Sequence, residues 1–299
     1  MTDKIKLTLL GTGTPSPLHH RAGSSYLLEV GDQTLLFDCG PACVRRLLEG
    51  GFDLRRITDL FLTHLHYDHC VDYGYLVLTR WDQGVGKIPD LDVYGPAPVA
   101  NMTELLFGPS GVYGPDLAAR TQHPGSHFIM EARGGKLPRQ LPQPAVSEVG
   151  DGTVIEGNGW RLDTAEVVHC QPQLTCLAYR LTTTSGVSVV FGGDTAPTPK
   201  LTELARDADV LLHMCHLDNN SVTDPRITDC CSGHLDAART ARDAGVRTLV
   251  LVHLTEQMEA VGVREPVLQE VGQIFTGNTI FGQDLLEVPV SGIQTGALR

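Results

Sequence analysis

No uninterrupted apolar stretch in the 299 residues approaches the roughly 18 to 20 that a membrane-spanning helix needs, so no such helix is expected. The opening Met1-Thr2-Asp3-Lys4-Ile5-Lys6-Leu7 lacks the apolar core of a signal peptide and runs directly into a strand-like alternation, which points to a cytoplasmic protein. Basic runs are missing too. None exceeds two residues, and 23 Lys and Arg stand against 35 Asp and Glu. The formal charge of −12 and the pI near 5.4 favour solubility and disfavour nucleic acid as a partner, unless basic side chains gather locally. The eight cysteines include no Cys-x-x-Cys pair, so neither a zinc ribbon nor a disulfide framework is expected, and the thiols are read as reduced.

What is present is a chain with 41% hydrophobic residues, enough to bury a large core in one compact unit spanning residues 1–299. Lys4-Ile5-Lys6-Leu7-Thr8-Leu9 alternates with the period of a half-buried strand, and the Gly11-Thr12-Gly13-Thr14-Pro15 that follows is turn chemistry. Residues 26–30 and 34–37, separated by Gly31-Asp32, read as a hairpin, and a helix runs from Pro41 to Gly50-Gly51. Further strands are expected at 59–62, 91–94, 162–168, 187–191, 210–212 and 248–252, with helices near 99–107, 199–206 and 235–244. Hairpins first, then strands interleaved with helices, predict an α/β (α+β) fold with mixed sheets packed between helices. Residues 108–145 differ, being rich in Gly and Pro with little periodicity; a lid, a dimer contact and simple disorder are the alternatives there.

His64-x-His66-x-Asp68-His69 places three imidazoles and a carboxylate within six residues, directly after a strand. Neutral imidazole with carboxylate is the ligand set that zinc favours. Four side chains cannot complete two coordination shells, and three later strands each end on a ligand-type residue: Val168-His169, Phe191-Gly192-Gly193-Asp194 and Val252-His253. In sheet-based folds the carboxyl ends of strands form the site crevice, so four such ends describe one metal centre. Gly192 and Gly193 suit a sharp turn that aims Asp194 inward.

These residues resemble the metallo-β-lactamase superfamily, from Leu10-Gly11-Thr12-Gly13 and Leu36-Phe37-Asp38-Cys39-Gly40 through His64 to His69, to Gly193-Asp194-Thr195 and the Leu249-Val250-Leu251-Val252-His253 strand. The resemblance implies a four-layer αβ/βα sandwich of two mixed sheets flanked by helices. It implies two divalent ions, zinc first with manganese or iron as alternatives: one on His64, His66 and His169, the second on Asp68, His69 and His253, with Asp194 bridging. Asp68 is expected also to orient the attacking water, and Asp38 to lie behind the ligands as a hydrogen-bond partner that fixes an imidazole tautomer, its alternative being a turn aspartate.

Within the superfamily the chain looks most like ribonuclease Z and its phosphodiesterase relatives, with three departures. The long tRNA-gripping arm is absent, since only residues 181–186 intervene where it would be inserted. His213-Met214 stands where the branch carries His-Glu, and the position of the branch's downstream histidine falls on Cys231. His234, three residues later, is either a replacement proton donor or a helix-start hydrogen bond. Cys215, Cys230 and Cys231 are read as a packed wall, with a metal role as the alternative. Tyr67, Tyr73 and Trp81 offer an aromatic wall for a small substrate, or else core packing. The expectation is a two-ion hydrolase of a small-molecule ester, lactone, amide or phosphodiester that does not cleave tRNA precursors. A ribonuclease Z-type tRNA 3′-processing nuclease and a non-catalytic binding or sensing protein are the alternatives, and a homodimer is left open.

Overall fold

Alternate residues of the early strands enter different apolar layers, and that alternation sets the architecture. In the computed structural model, which describes residues 5–290, β1 (Ile5–Gly11) sends Leu7 and Leu9 to one core and Leu10 to another. β2 (Ser25–Val30) divides Leu28 from Leu27 in the same way, and β3 (Gln33–Phe37) divides Leu35 and Phe37 from Leu36. A sheet apolar on both faces has to be covered on both.

The first half continues through α1 (Cys43–Glu49), β4 (Ile57–Phe61), α2 (Tyr67–Cys70), α3 (Tyr73–Gly84), β5 (Asp92–Gly95), α4 (Val99–Phe107), α5 (Gly114–Gln122), α6 (Pro124–Ala132) and β6 (Ala145–Glu148). The second runs through β7 (Val154–Gly157), β8 (Trp160–Val167), β9 (Cys176–Thr183), β10 (Ser188–Phe191), α7 (Pro199–Leu204), β11 (Val210–Met214) and α8 (Pro225–Thr228). It closes with α9 (His234–Ala244), β12 (Thr248–Val252), α10 (Arg264–Ile274), β13 (Asn278–Phe281) and β14 (Leu286–Val288).

Two seven-stranded sheets result, in the orders β14-β1-β2-β3-β4-β5-β6 and β13-β12-β11-β10-β9-β8-β7. Each is antiparallel at one side and parallel at the other, the change falling at β3 in the first and β10 in the second. Val44, Leu47, Leu76 and Val99 from α1, α3 and α4 cover the outer face of the first sheet. Leu201, Ala237, Ala241 and Val271 from α7, α9 and α10 cover the second. The four-layer sandwich of two mixed sheets is therefore observed. No helix among the described residues is long and apolar enough to cross a membrane.

Between the sheets an aromatic stack crosses the interface. The Phe37 ring lies 3.7 Å from that of Phe191 at 8° and 4.9 Å from that of Phe61, which in turn stacks on Tyr94 at 5.0 Å. Phe37 and Phe191 are the last residues of β3 and β10, so the stack fixes the two strand ends from which the site is built.

The segment 108–145 is more regular than its composition predicts, because α5 and α6 lie within it. Each buries a single residue, Leu117 and Met130, which explains the missing periodicity, and both begin with a proline in the first turn, where a missing N–H costs nothing. α3 also escaped pattern reading. Its buried residues are Tyr73, Gly74, Leu76, Val77, Arg80 and Gly84, so an arginine and two glycines interrupt the apolar stripe.

Phe37→Ala is expected to cost about 3 to 5 kcal/mol, read as a lower urea midpoint, because it empties the centre of the stack. Phe37→Leu should lose less than half as much. Equal losses for the two variants would show that the stack is not what holds this interface.

Candidate metal centre

The sequence after β4 turns because its backbone is pinned on both sides. Asp38, directly after β3, takes the left-handed conformation at φ 55°, and its N–H donates to the Phe61 carbonyl at 2.8 Å. Its carboxylate accepts from the Thr63 N–H at 2.8 Å, from the Thr63 hydroxyl at 2.9 Å to Oδ2, and from His69 Nδ1 at 2.7 Å. That last bond leaves His69 Nε2 free to face inward, which is the arrangement by which a carboxylate orients a metal-binding imidazole. The short helix α2 carries Asp68 and His69 in one turn, closed by the Cys39 N–H donating to the His69 carbonyl.

The second sheet supplies the other side. Gly193 has φ 61°, and a Cβ there would sit 2.9 Å from the Leu177 carbonyl oxygen, so glycine is required one residue before Asp194. His253, directly after β12, mirrors Asp38 with φ 55°. A left-handed non-glycine residue turns the chain sharply at each of these two strand ends.

Ligand atoms of His64, His66, His169 and Asp194 all lie within 4.8 Å of one another, and those of Asp68, His69 and His253 form a second such group. His66 Nδ1 is 3.0 Å from His64 Nε2 and 3.3 Å from His169 Nε2. Tetrahedral ligands roughly 2.0 to 2.1 Å from zinc are about 3.3 Å apart, so the spacing fits a shared cation. Asp194 faces both groups, with Oδ1 3.4 Å from His69 Nε2, and Oδ2 3.1 Å from His253 Nε2 and 3.8 Å from His169 Nε2. His69 Nε2 and Asp68 Oδ1 are buried without a hydrogen-bond partner, which is costly unless something else binds them.

The electrostatics agree. Burial alone would lower the His69 pKa, but Asp194 and Asp38 outweigh it and hold it well above the usual value. Burial would raise Asp194, yet His253 and His69 hold its carboxyl well below the ordinary range. Burial keeps His64 well below its usual value, hence neutral and able to ligate. Buried carboxylates that draw positive charge beside neutral imidazoles suit divalent cations.

The metallo-beta-lactamase superfamily profile matches residues 20–234. The chain belongs to that superfamily. It is 35% identical over 292 residues to a Mycolicibacterium paratuberculosis protein named ribonuclease Z, an alignment covering 96% of this chain and 98% of the relative. A Mycobacterium marinum protein of the same name is 33% identical over 96% of this chain and 99% of its own. Among solved structures, the metallo-beta-lactamase fold protein YhfI of Bacillus subtilis superposes with a TM-score of 0.72 at 21% identity, covering 95% of this chain and 98% of that one. The likeness places this superfamily member in the ribonuclease Z-like branch and makes it a metal-dependent hydrolase.

These relatives correct the expectation about partners, in which a small molecule was favoured and nucleic acid disfavoured. Near end-to-end alignment leaves no room in the relatives for a long arm that this chain lacks, so the short β9–β10 connection does not separate it from proteins named as ribonucleases. The net charge of −12 misled because it averages over the surface, whereas RNA meets only a local field.

Several expected site residues lie elsewhere. His234 joins neither ligand group. At the start of α9 its ring turns toward α10, where Nε2 lies 2.7 Å from Glu270 Oε2, a side-chain contact between the two helices. Tyr67, Tyr73 and Trp81 form no common wall: Tyr67 is 56% exposed with its hydroxyl on the Pro15 carbonyl, Tyr73 is fully buried against Thr103, and Trp81 belongs to a separate cleft. Two helical turns separate the last two, which spacing alone did not weigh. His169 Nδ1 lies 2.6 Å from the Cys230 carbonyl oxygen, and the Cys230 and Cys231 thiols adjoin it. Burial pushes the Cys231 thiol well up, and with Cys230 and His169 it forms a further group of ligand-type atoms beside the site.

Two residues were missed. Thr63 links Asp38 to His64, its hydroxyl 3.0 Å from His64 Nδ1. His216 Nδ1 lies 3.2 Å from His253 Nδ1, and burial followed by His253 brings the His216 pKa down to about 4. The two Nδ1 atoms are close enough to share one hydrogen, and His253 Nε2 faces Asp68 and Asp194. The signal was strand register: β11 and β12 run parallel with Met214 opposite Val252, which sets His216 beyond the level of His253.

Asp194→Ala protein, purified from zinc-supplemented growth, is expected to hold well under one ion per chain by elemental analysis where the parent holds about two. Asp38→Ala should keep its fold and lose about 10- to 100-fold in metal affinity. Parent-like metal content in Asp194→Ala would remove that residue from the ligand set.

Proposed function

We propose that the protein is a cytoplasmic two-zinc phosphodiesterase of the ribonuclease Z type that cleaves precursor tRNA on the 3′ side. The observation carrying this is the chain-long similarity to proteins named ribonuclease Z, joined to a ligand set in which no expected member is missing. A fold neighbour at 20% identity, with a TM-score of 0.68 and full coverage of that chain, is a human tRNase Z short form; at that identity it supports the fold.

His64, His66 and His169 would hold one ion, Asp68, His69 and His253 the other, and Asp194 would touch both. When bound, such a pair supplies a water nucleophile near neutral pH and neutralises charge developing on the attacked phosphate. The chain's own residues supply the orientation. Asp68 Oδ2 faces His253 Nε2 at 3.2 Å, on the side of the second ligand group, and Oδ1, which has no partner, would accept a hydrogen from the attacking water and hold its lone pair toward phosphorus. Asp38 and His216 fix the tautomers of His69 and His253, so both rings present Nε2 to the cluster. Thr63 does the same for His64 through Nδ1.

The metal-loaded protein is expected to cut a labelled tRNA precursor at the mature 3′ boundary. His66→Ala, or exhaustive chelation of the parent, should lower the rate by about 10²- to 10³-fold or more, the scale on which loss of one electrostatic stabiliser acts. Turnover of lactones or esters with no cleavage of the precursor would sink the assignment.

A further inference from the structure

Away from the metal centre, the charged lining of one cleft in this acidic chain is mainly basic. The cleft, of about 480 Å³, lies between the C-terminal half of α3 and the segment after α6. Its charged lining residues are Arg80, Lys87, Lys136 and Arg139 against Asp90 alone, a balance of +3 in a chain of −12. Two of the five lysines in the sequence are there.

The cations are not used up by the fold. Arg80 is only 3% exposed, yet its guanidinium meets backbone carbonyls, Nε at 3.2 Å from that of Leu54 and Nη2 at 3.5 Å from that of Pro89, and it forms no ion pair among the described residues. A buried guanidinium without a carboxylate partner is costly and marks a place where an anion is welcome. Burial lowers its pKa, and Asp90 and Asp92 offset this only in part. Lys87 and Lys136 are exposed and likewise unpaired among the described residues. Arg139 differs: it stacks 3.6 Å over Trp81 and binds Asp82, a carboxylate that also takes Arg120 and Arg133. That neighbouring acid is therefore neutralised.

Resting on the ribonuclease reading, we propose that this cleft is a second contact for the RNA substrate, in which Arg80, Lys87 and Lys136 seat the sugar–phosphate backbone. α3 begins four residues after His69, and its 12 residues span roughly 18 Å. A cleft at its far end is beyond reach of a small molecule held at the metals and within reach of a nucleic acid. The segment 108–145, whose residues form one wall, then acts as a substrate-binding element in place of a long arm.

The test compares three metal-loaded proteins on precursor tRNA: the parent, the double variant Lys87→Ala, Lys136→Ala, and a control of equal net charge, Lys6→Ala, Lys200→Ala, whose lysines pair with Glu287 and Asp151. The cleft variant should raise KM about tenfold near 0.1 M salt and make the salt dependence of binding shallower by about 2 in log–log slope. The control should stay with the parent. An unchanged KM and slope in the cleft variant, or an equal shift in the control, would overturn the proposal while leaving the ribonuclease reading intact. A parent that neither binds nor cleaves the precursor would overturn both. Weakened binding of inorganic phosphate with unchanged precursor KM would reassign the cleft to a small anion and overturn the RNA contact.

Discussion

Everything in the site depends on two sheets meeting at the ends of β3 and β10. The ligand-type residues are split between them, His64, His66, Asp68 and His69 following the first sheet's β4, and His169, Asp194 and His253 following strands of the second. Asp194 sits between the two sets and faces histidines of both. The stacked rings of Phe37 and Phe191 hold that junction, and each ring precedes a buried carboxylate, Asp38 by one residue and Asp194 by three. A hydrophobic contact thus sets the distance across which the polar chemistry operates. Close packing resists small displacements in a way that exposed loops do not, so the geometry of the cluster is inherited from the core.

Much of this was legible because it is local. Period-2 alternation located β1, short apolar runs located β2, β3 and β12, and the ligand spacing at 64–69 announced itself without any knowledge of the fold. His169, Asp194 and His253 were found because each follows a strand, a rule about sheet edges that needs no contact map. What was not legible depends on which residues face each other across elements. His216 meets His253 through strand register, Thr63 meets Asp38 through β3–β4 pairing, and His234 meets Glu270 through the packing of α9 on α10. A histidine three residues from an expected position looked close in sequence, whereas the start of a helix aimed it at a different partner.

The misjudged partner has the same root. Total charge is a sum over the surface, and a sum discards position. Here many acids are already answered by nearby bases, as where Asp82 receives Arg120, Arg133 and Arg139, or where Asp53 binds Arg55 and Asp224 binds Arg226. Such pairs contribute little to stability when exposed, yet they cancel field locally and leave the unpaired cations to define where an anion is drawn. An acidic pI is therefore compatible with a polyanionic substrate when the unpaired bases share one face.

Metal chemistry of this kind is not selective by itself, since a pair of cations with an oriented water attacks many phosphodiesters alike. Selectivity must come from contacts outside the cluster, and their distance decides what they can select. A wall beside the metals would discriminate small substrates by shape, but the aromatic residues expected to form one are dispersed, Tyr73 into the core and Trp81 to the far end of α3. Contacts on the order of 20 Å away discriminate by length and backbone charge instead, because only a substrate long enough to touch both places gains from both. Binding energy realised at a remote contact serves catalysis when it holds the scissile bond at the cluster in a reactive orientation. Rigid helix α3 links the two places directly, beginning just after the metal motif and ending in the cleft. Helix geometry therefore sets the spacing between the cleft and the cluster.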